Sequence, residues 1–342
     1  MAVLEFNCLP TIISSMPGID PAATCRQIAK YLPDIPSWPQ LPQRAFTENM
    51  YAQFSEGFPG IVIGEGSIKV DTSVDLTPAL EKLYTAYINN ELAGFGISAE
   101  YAAGLRYFLG MEGLAPRLVK GQVTGPVTWA ATVTDEDGRS VIWNDVLCDA
   151  AARMLRLKAA WQCRELKKIC KDVIVFLDEP YLEAYGSSAF ISLSHEKVIG
   201  MLNEVFGGIG GYKGVHCCGN TDWAVLLATE LDILSFDAYN YADTVALYPA
   251  EVKKLIDRGG ALAWGIVPTD PERLARESVT SLKDRLEDGM APFTRQGIPF
   301  ETLCRRAILT PSCGMAMLPT DAVEAGLGLL SDLSALMGAK YS

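Results

Sequence analysis

Beyond about residue 55 the chain alternates short apolar or β-branched runs with longer stretches of helical periodicity. The short runs predict strands at GIVIG (60–64), RLVKGQVTG (117–125), DVIVFLDE (172–179) and KGVHCCG (213–219). Further strands are predicted at LDILSFDA (231–238), GALAWGIVP (260–268) and RRAILTPS (305–312). Between them lie amphipathic segments at 143–170, 194–206 and 271–293. Strands alternating with helices build parallel βαβ units. An open doubly wound sheet would carry GxGxxG directly after a strand. The glycine cluster FGGIGGYKG (206–214) instead precedes one, and reads as a helix stop and turn. About eight strands in one length of this size fit a single (β/α)8 TIM barrel spanning residues 1–342.

The polar residues with chemical potential fall at the C-terminal ends of these strands. Ser14 and Ser15 follow PTII, Asp178 and Glu179 follow VIVFL, and His216 and Cys218 follow KGV. Asp237 follows ILSF, and Cys313 follows AILTPS. Barrel enzymes assemble their active sites from those ends, so these side chains are expected to converge.

Composition narrows the partners. The formal net charge is −12, which disfavours a nucleic-acid backbone or an anionic membrane face. No apolar run looks long enough to cross a bilayer, and the first twenty residues lack the features of a signal peptide. A cytoplasmic protein with no membrane partner is expected. The nine cysteines are scattered, without paired CxxC motifs, and are expected to be reduced.

One of only two histidines sits in GVHCCGN (214–220). Extended backbone sends alternate side chains to one side, so His216 and Cys218 can face a common centre while Cys217 packs away from it. Cys313, in TPSCGM, would arrive from another strand end. Two thiolates and an imidazole suit zinc and leave a coordination position for substrate, with Asp237 available as a weaker fourth ligand. The alternative is buried thiols beside a hydrogen-bonded histidine. His195, behind Ser194, reads as a surface or capping residue. Thiolate-bound zinc is better suited to holding another thiol as thiolate than to activating water, which points to alkyl transfer to sulfur.

HCCGN with the later SCG, GQVTGPVTWA (121–130), FLDEPYL (176–182) and TIISSMP (11–17) together resemble the catalytic domain of cobalamin-independent methionine synthases. Their superfamily also contains uroporphyrinogen decarboxylase and methylcobalamin:coenzyme M methyltransferases. The resemblance implies His216, Cys218 and Cys313 as zinc ligands, with Asp237 in place of a family glutamate one methylene longer. It implies Asp178 on the amino group of homocysteine, Ser15 and its neighbouring backbone on the carboxylate, and Glu48 as a second grip on the amino acid. The product would be methionine.

Two departures shape the expected donor. There is room for one barrel where full-length relatives have two, and AWGIVPTDPERL lacks the histidine expected to deliver a proton. A folate nitrogen leaves poorly without an acid, whereas cob(I)alamin needs none. The expectation is therefore methylcobalamin, or a methylated corrinoid protein as partner. Coenzyme M or another small thiol is the alternative acceptor. A uroporphyrinogen decarboxylase would need closely spaced arginines, and only Arg26 and Arg44 stand in that region. A non-catalytic zinc or corrinoid accessory protein is the remaining rival.

Overall fold

The computed structural model describes residues 5–64, 66–186 and 193–341. Ten strands follow in chain order. They are β1 (Leu9–Pro10), β2 (Ile61–Gly64), β3 (Ser67–Val70), β4 (Val119–Thr124), β5 (Thr134–Asp135) and β6 (Val173–Asp178). Then come β7 (Tyr212–Cys217), β8 (Ile233–Phe236), β9 (Ala261–Val267) and β10 (Ala307–Pro311). Seven of these make one curled sheet in the order β1-β10-β9-β8-β7-β6-β4, and every pairing in it is parallel. Helices link them, as parallel neighbours require.

Residues 34–40 run between the two edge strands and bond to both. On the β1 side Gln40 N donates to Ser14 O (2.8 Å) and Met16 N to Gln40 O (2.9 Å). On the β4 side Leu118 N donates to Asp34 O and Lys120 N to Pro36 O, each at 3.0 Å. Pro36 and Pro39 lie within this stretch and Pro33 and Pro42 flank it, and each removes a donor from any regular ladder. The stretch therefore bonds to both neighbours without being a strand, and its sequence carries no strand signal.

Alternation along the strands divides the core in two. One cluster gathers Phe6, Ile13, Ile35, Leu118, Ile174, Phe176, Ile233, Ala261, Ala263 and Ile308, inside the curl of the sheet. The intervening positions, among them Val175, Leu177, Val215, Cys217, Leu234, Phe236 and Leu262, join the larger cluster with the helices. The interior is thus a packed plug below and a polar rim above.

Three expectations are corrected. GIVIG at 60–64 is a strand, but β2 pairs antiparallel with β3, which pairs with β5 in a separate small sheet. The helix expected at 271–293 is two, Pro271–Leu274 and Val279–Arg295, because Ser278 caps a fresh start by accepting from Ser281 N. Helix Thr320–Tyr341 is long and apolar enough to cross a membrane by length and composition. Here it buries Leu327, Leu330, Leu333 and Met337 in the outer layer of the fold.

Candidate functional site

The last turn of β7 brings the first ligand candidates into place. His216 pairs in register with Asp178 on β6 and Ser235 on β8. The ligand atoms of His216, Cys218 and Cys313 all lie within 4.8 Å of one another. Cys313 is delivered by an irregularity in the β10–β9 register at Thr310/Pro311, after which Ser312 N bonds Val267 O at 2.8 Å. Met315 N then bonds Ser15 O at 2.7 Å, so the loops after β1 and β10 lie against each other. Gly314 permits this, since a Cβ there would stand 2.9 Å from the Ser15 Cβ. Cys217 faces the helices and is fully buried, and burial pushes its thiol up to about 12. It packs away from the cluster, as the alternation required.

The hydrogen bond from the Cys218 thiol holds Cys313 well below the ordinary thiol value, with help from His216 and against burial. The same contact raises Cys218. On the imidazole, Nδ1 is 3.0 Å from Ser235 Oγ, and Nε2 is buried with no hydrogen-bond partner. A soft donor set of two thiols and an unpaired imidazole nitrogen, all within reach of one ion, fits zinc.

Asp237, expected as a weaker fourth ligand, stands at the end of β8 beside the cluster. It caps helix Ala238–Val245, Oδ1 accepting from Asn240 N at 2.9 Å and Oδ2 from Asn240 Nδ2 at 2.6 Å. Arg273 Nη1 fixes that amide by donating to Asn240 Oδ1 at 2.6 Å. Asp237 lies at the edge of the cluster with both oxygens engaged, and burial raises its pKa.

Six buried side-chain nitrogens or oxygens among the described residues lack a partner, and three belong to residues singled out above. They are His216 Nε2, Asp178 Oδ1 and Glu48 Oε2. Buried polar atoms are nearly always paired, so such a concentration points to a ligand. Burial raises both carboxyl pKa values; Lys120 and His216 oppose it at Asp178, and Arg44 with the backbone of Ala103 and Leu41 opposes it at Glu48. Arg44 Nη1 donates to Glu48 Oε1, which sets Glu48 just before helix Met50–Ser55. Thr124 Oγ1 ties that segment to the top of β4 by donating to Met50 O at 2.7 Å. Tyr51, on the same helix, stands close enough to Cys218 and Cys313 to feel their charge.

Ser15 Oγ donates to Gln40 Oε1 (2.9 Å), Gln40 Nε2 to Gln53 Oε1 (2.9 Å), and Gln53 Nε2 to the carbonyl of Tyr101 (2.6 Å). The Tyr101 carbonyl can only accept, so it fixes every donor in the chain. The Ser15 hydroxyl therefore offers lone pairs to a ligand.

Sequence reading missed Ser235 and Glu179 as structural partners. Ser235 precedes Asp237 by two along β8, and period-two alternation was the available signal. Glu179 is fully buried, and its oxygens accept from Val127 N (3.0 Å) and Thr128 N (2.7 Å) at the start of helix Pro126–Thr132. His195 is exposed on its capped helix, and Arg26 contacts the outer Tyr107 hydroxyl at 3.3 Å. Arg44 is engaged by Glu48, so neither of the two arginines considered for a decarboxylase stands free to pair with the other.

No family model matches the chain. A curated methionine synthase from Methanocaldococcus jannaschii is 27% identical over 207 residues, covering 59% of this chain and 60% of that protein's length. A solved B12-independent methionine synthase from Shewanella sp. W3-18-1, in complex with selenomethionine, superimposes with a TM-score of 0.58. It is 16% identical and covers 96% of this chain and 97% of its own. The chain has the fold of the cobalamin-independent methionine synthases. A protein described as a putative vitamin-B12 independent methionine synthase from Listeria monocytogenes agrees, with a TM-score of 0.57 at 12% identity over 99% and 98% of the two chains.

These likenesses correct the expected donor. The solved structures sharing this fold are described as B12-independent, so methylcobalamin as donor and a corrinoid protein as partner lose their support. The missing histidine excludes one acid only.

Proposed function

We propose that this protein is a homocysteine S-methyltransferase making methionine on a single (β/α)8 barrel, residues 34–40 standing as its irregular eighth stave. The observation that carries the reading is the convergence of His216, Cys218 and Cys313 at the strand ends, with His216 Nε2 and Asp178 Oδ1 buried and unpaired beside the two thiols. His216, Cys218 and Cys313 would hold zinc. When bound, zinc supplies a site that keeps the substrate thiol as thiolate at neutral pH. Asp178 and Glu48 accept the substrate ammonium, and the backbone beside Ser15 receives its carboxylate. Gripping the amino acid at one end aligns its sulfur at the other, and such alignment is a large part of what an enzyme contributes to displacement. Nine free thiols suit a reducing cytoplasm.

The test is methionine formation, followed by mass spectrometry, from homocysteine and isotopically labelled methyltetrahydrofolate with the zinc-loaded protein. Methylcobalamin serves as comparison donor and coenzyme M as comparison acceptor. Methionine from the parent and none from Cys313→Ala supports the reading. A purified protein that binds no zinc, or one that methylates coenzyme M in preference to homocysteine, overturns it.

A further inference from the structure

Lys120 is a fully buried lysine inside the curl of the sheet, one layer below the pocket. Its Nζ lies 3.3 Å from Ser14 Oγ and 4.6 Å from the centre of the Phe176 ring. Among the described residues no carboxylate oxygen is within ion-pair distance of it. Ser14 is set up to receive it. Gln122 Nε2 donates to Trp38 O at 3.4 Å, so Gln122 Oε1 takes the Ser14 proton and a Ser14 lone pair is left for the ammonium. Phe176 lies flat where β7 has no side chain, since a Cβ on Gly214 would stand 2.1 Å from the Phe176 Cδ1. Asp178 follows Phe176 by two along β6, so both project inward with the carboxylate above the ring.

An ammonium held by one hydroxyl and one ring is an expensive thing to bury. Burial lowers the Lys120 pKa to about 8, and Asp178 is the charge that opposes the drop. A methionine would fill the same space at less cost. The beneficiary is Asp178, whose Oδ1 is buried and unpaired until an ammonium arrives.

We propose that Lys120 is a positioning residue, the interior counter-charge that holds the Asp178 carboxylate ready for the amino group of an amino-acid thiol. This rests on the reading of the pocket given above. Lys120 contributes to discrimination between thiols that carry an amine and thiols that do not, without touching substrate or metal.

The experiment is calorimetric titration of zinc-loaded protein with homocysteine and with 4-mercaptobutanoate, which is the same thiol without its amine. Parent, Lys120→Met and Lys120→Gln are compared, with zinc content and melting temperature measured on each. The parent is expected to prefer homocysteine, and both variants to lose about tenfold or more of that preference. Their affinity for 4-mercaptobutanoate, zinc content and melting temperature should not fall. A variant that keeps the full preference overturns the proposal, as does equal weakening toward both thiols, which marks a structural role. A parent with no preference overturns the amino-acid reading itself, and the role of Lys120 falls with it.

Discussion

Gly125→Ala tests how the loops after β4 and β6 are locked together. Gly125 has φ −64° and ψ 148°, open to any residue, so the backbone accepts alanine without strain. Space does not. An added Cβ would stand 2.1 Å from the Glu179 Cδ and 2.2 Å from its Oε1. Glu179 is fully buried among backbone and must leave its place. It would then give up its bonds from Val127 N and Thr128 N. Burial raises the Glu179 pKa to about 7, so at pH 8, where it is charged, its hydrogen bonds contribute about 1.5–3 kcal/mol each and the substitution should cost about 3–6 kcal/mol. Glu179 N also donates to His216 O at 2.8 Å, so its displacement disturbs the strand end that carries His216. Guanidinium unfolding of the metal-free protein reads the stability loss, and chelator competition reads weakened zinc binding. Gly125→Ala combined with Glu179→Ala should cost at least about 1 kcal/mol less than the sum of the single changes, because one contact is removed twice. A cost below about 1 kcal/mol for Gly125→Ala, or strict additivity, would refute the steric reasoning.

Ser235→Ala removes the partner of His216 Nδ1 and should weaken zinc binding by about 10–100-fold, as loss of such a partner does elsewhere; unchanged affinity in a chelator competition would remove Ser235 from the site. Cys217→Ala should keep full zinc stoichiometry by atomic absorption and cost about 1 kcal/mol of stability, since this thiol is packing. Loss of the metal would reverse the assignment of the two adjacent cysteines. Lys158 is fully buried with one acceptor, Gly96 O at 3.4 Å, and burial lowers its pKa from 10.5 to about 8. That drop corresponds to about 3 kcal/mol of destabilisation at neutral pH. The native state sheds this proton first, so the penalty is full below about pH 8 and fades as pH rises toward 10.5. Lys158→Met should therefore stabilise the protein at pH 7 by up to about 3 kcal/mol, and the gain over the parent should shrink between those pH values. A gain independent of pH in urea unfolding would refute the electrostatic origin.

Six strands of the main sheet were legible because each runs apolar between clear breaks. The main sheet nonetheless has seven strands and an irregular closure where eight were expected. GIVIG satisfied the same pattern as the others, yet β2 pairs antiparallel with β3. Local pattern specifies extended backbone, and its partner is chosen elsewhere. The stretch at 34–40 shows the reverse case. Four prolines at three-residue spacing hide a segment that bonds to both sheet edges. Motifs also read separately in sequence and together in space. The glycine of TGPVT and the glutamate of DEP are one contact, the first leaving room for the second.

The site was legible where period two alone decides it, as at His216 and Cys218, and where one strand end delivers one residue, as at Cys313. It was not legible where polarity depends on a chain of partners. Ser15 looked like a donor for a substrate carboxylate, because a serine hydroxyl can donate or accept. The structure removes that freedom from a distance. The Tyr101 carbonyl orients Gln53, Gln53 orients Gln40, and Gln40 takes the Ser15 proton, through residues 101, 53, 40 and 15. A carboxylate held beside Ser15 must then bond to backbone N–H, while the Ser15 oxygen faces whatever the ligand donates. Asp237 follows the same logic, since Arg273 sets Asn240 and Asn240 occupies both carboxylate oxygens. Each Asp237 oxygen keeps a second lone pair beyond its bond to Asn240, so these bonds fix the carboxylate in place without closing it to a cation. Cys218 and Cys313 are in turn hydrogen-bonded to each other, so the site gathers two sulfurs and an imidazole nitrogen with the Asp237 carboxylate at its edge.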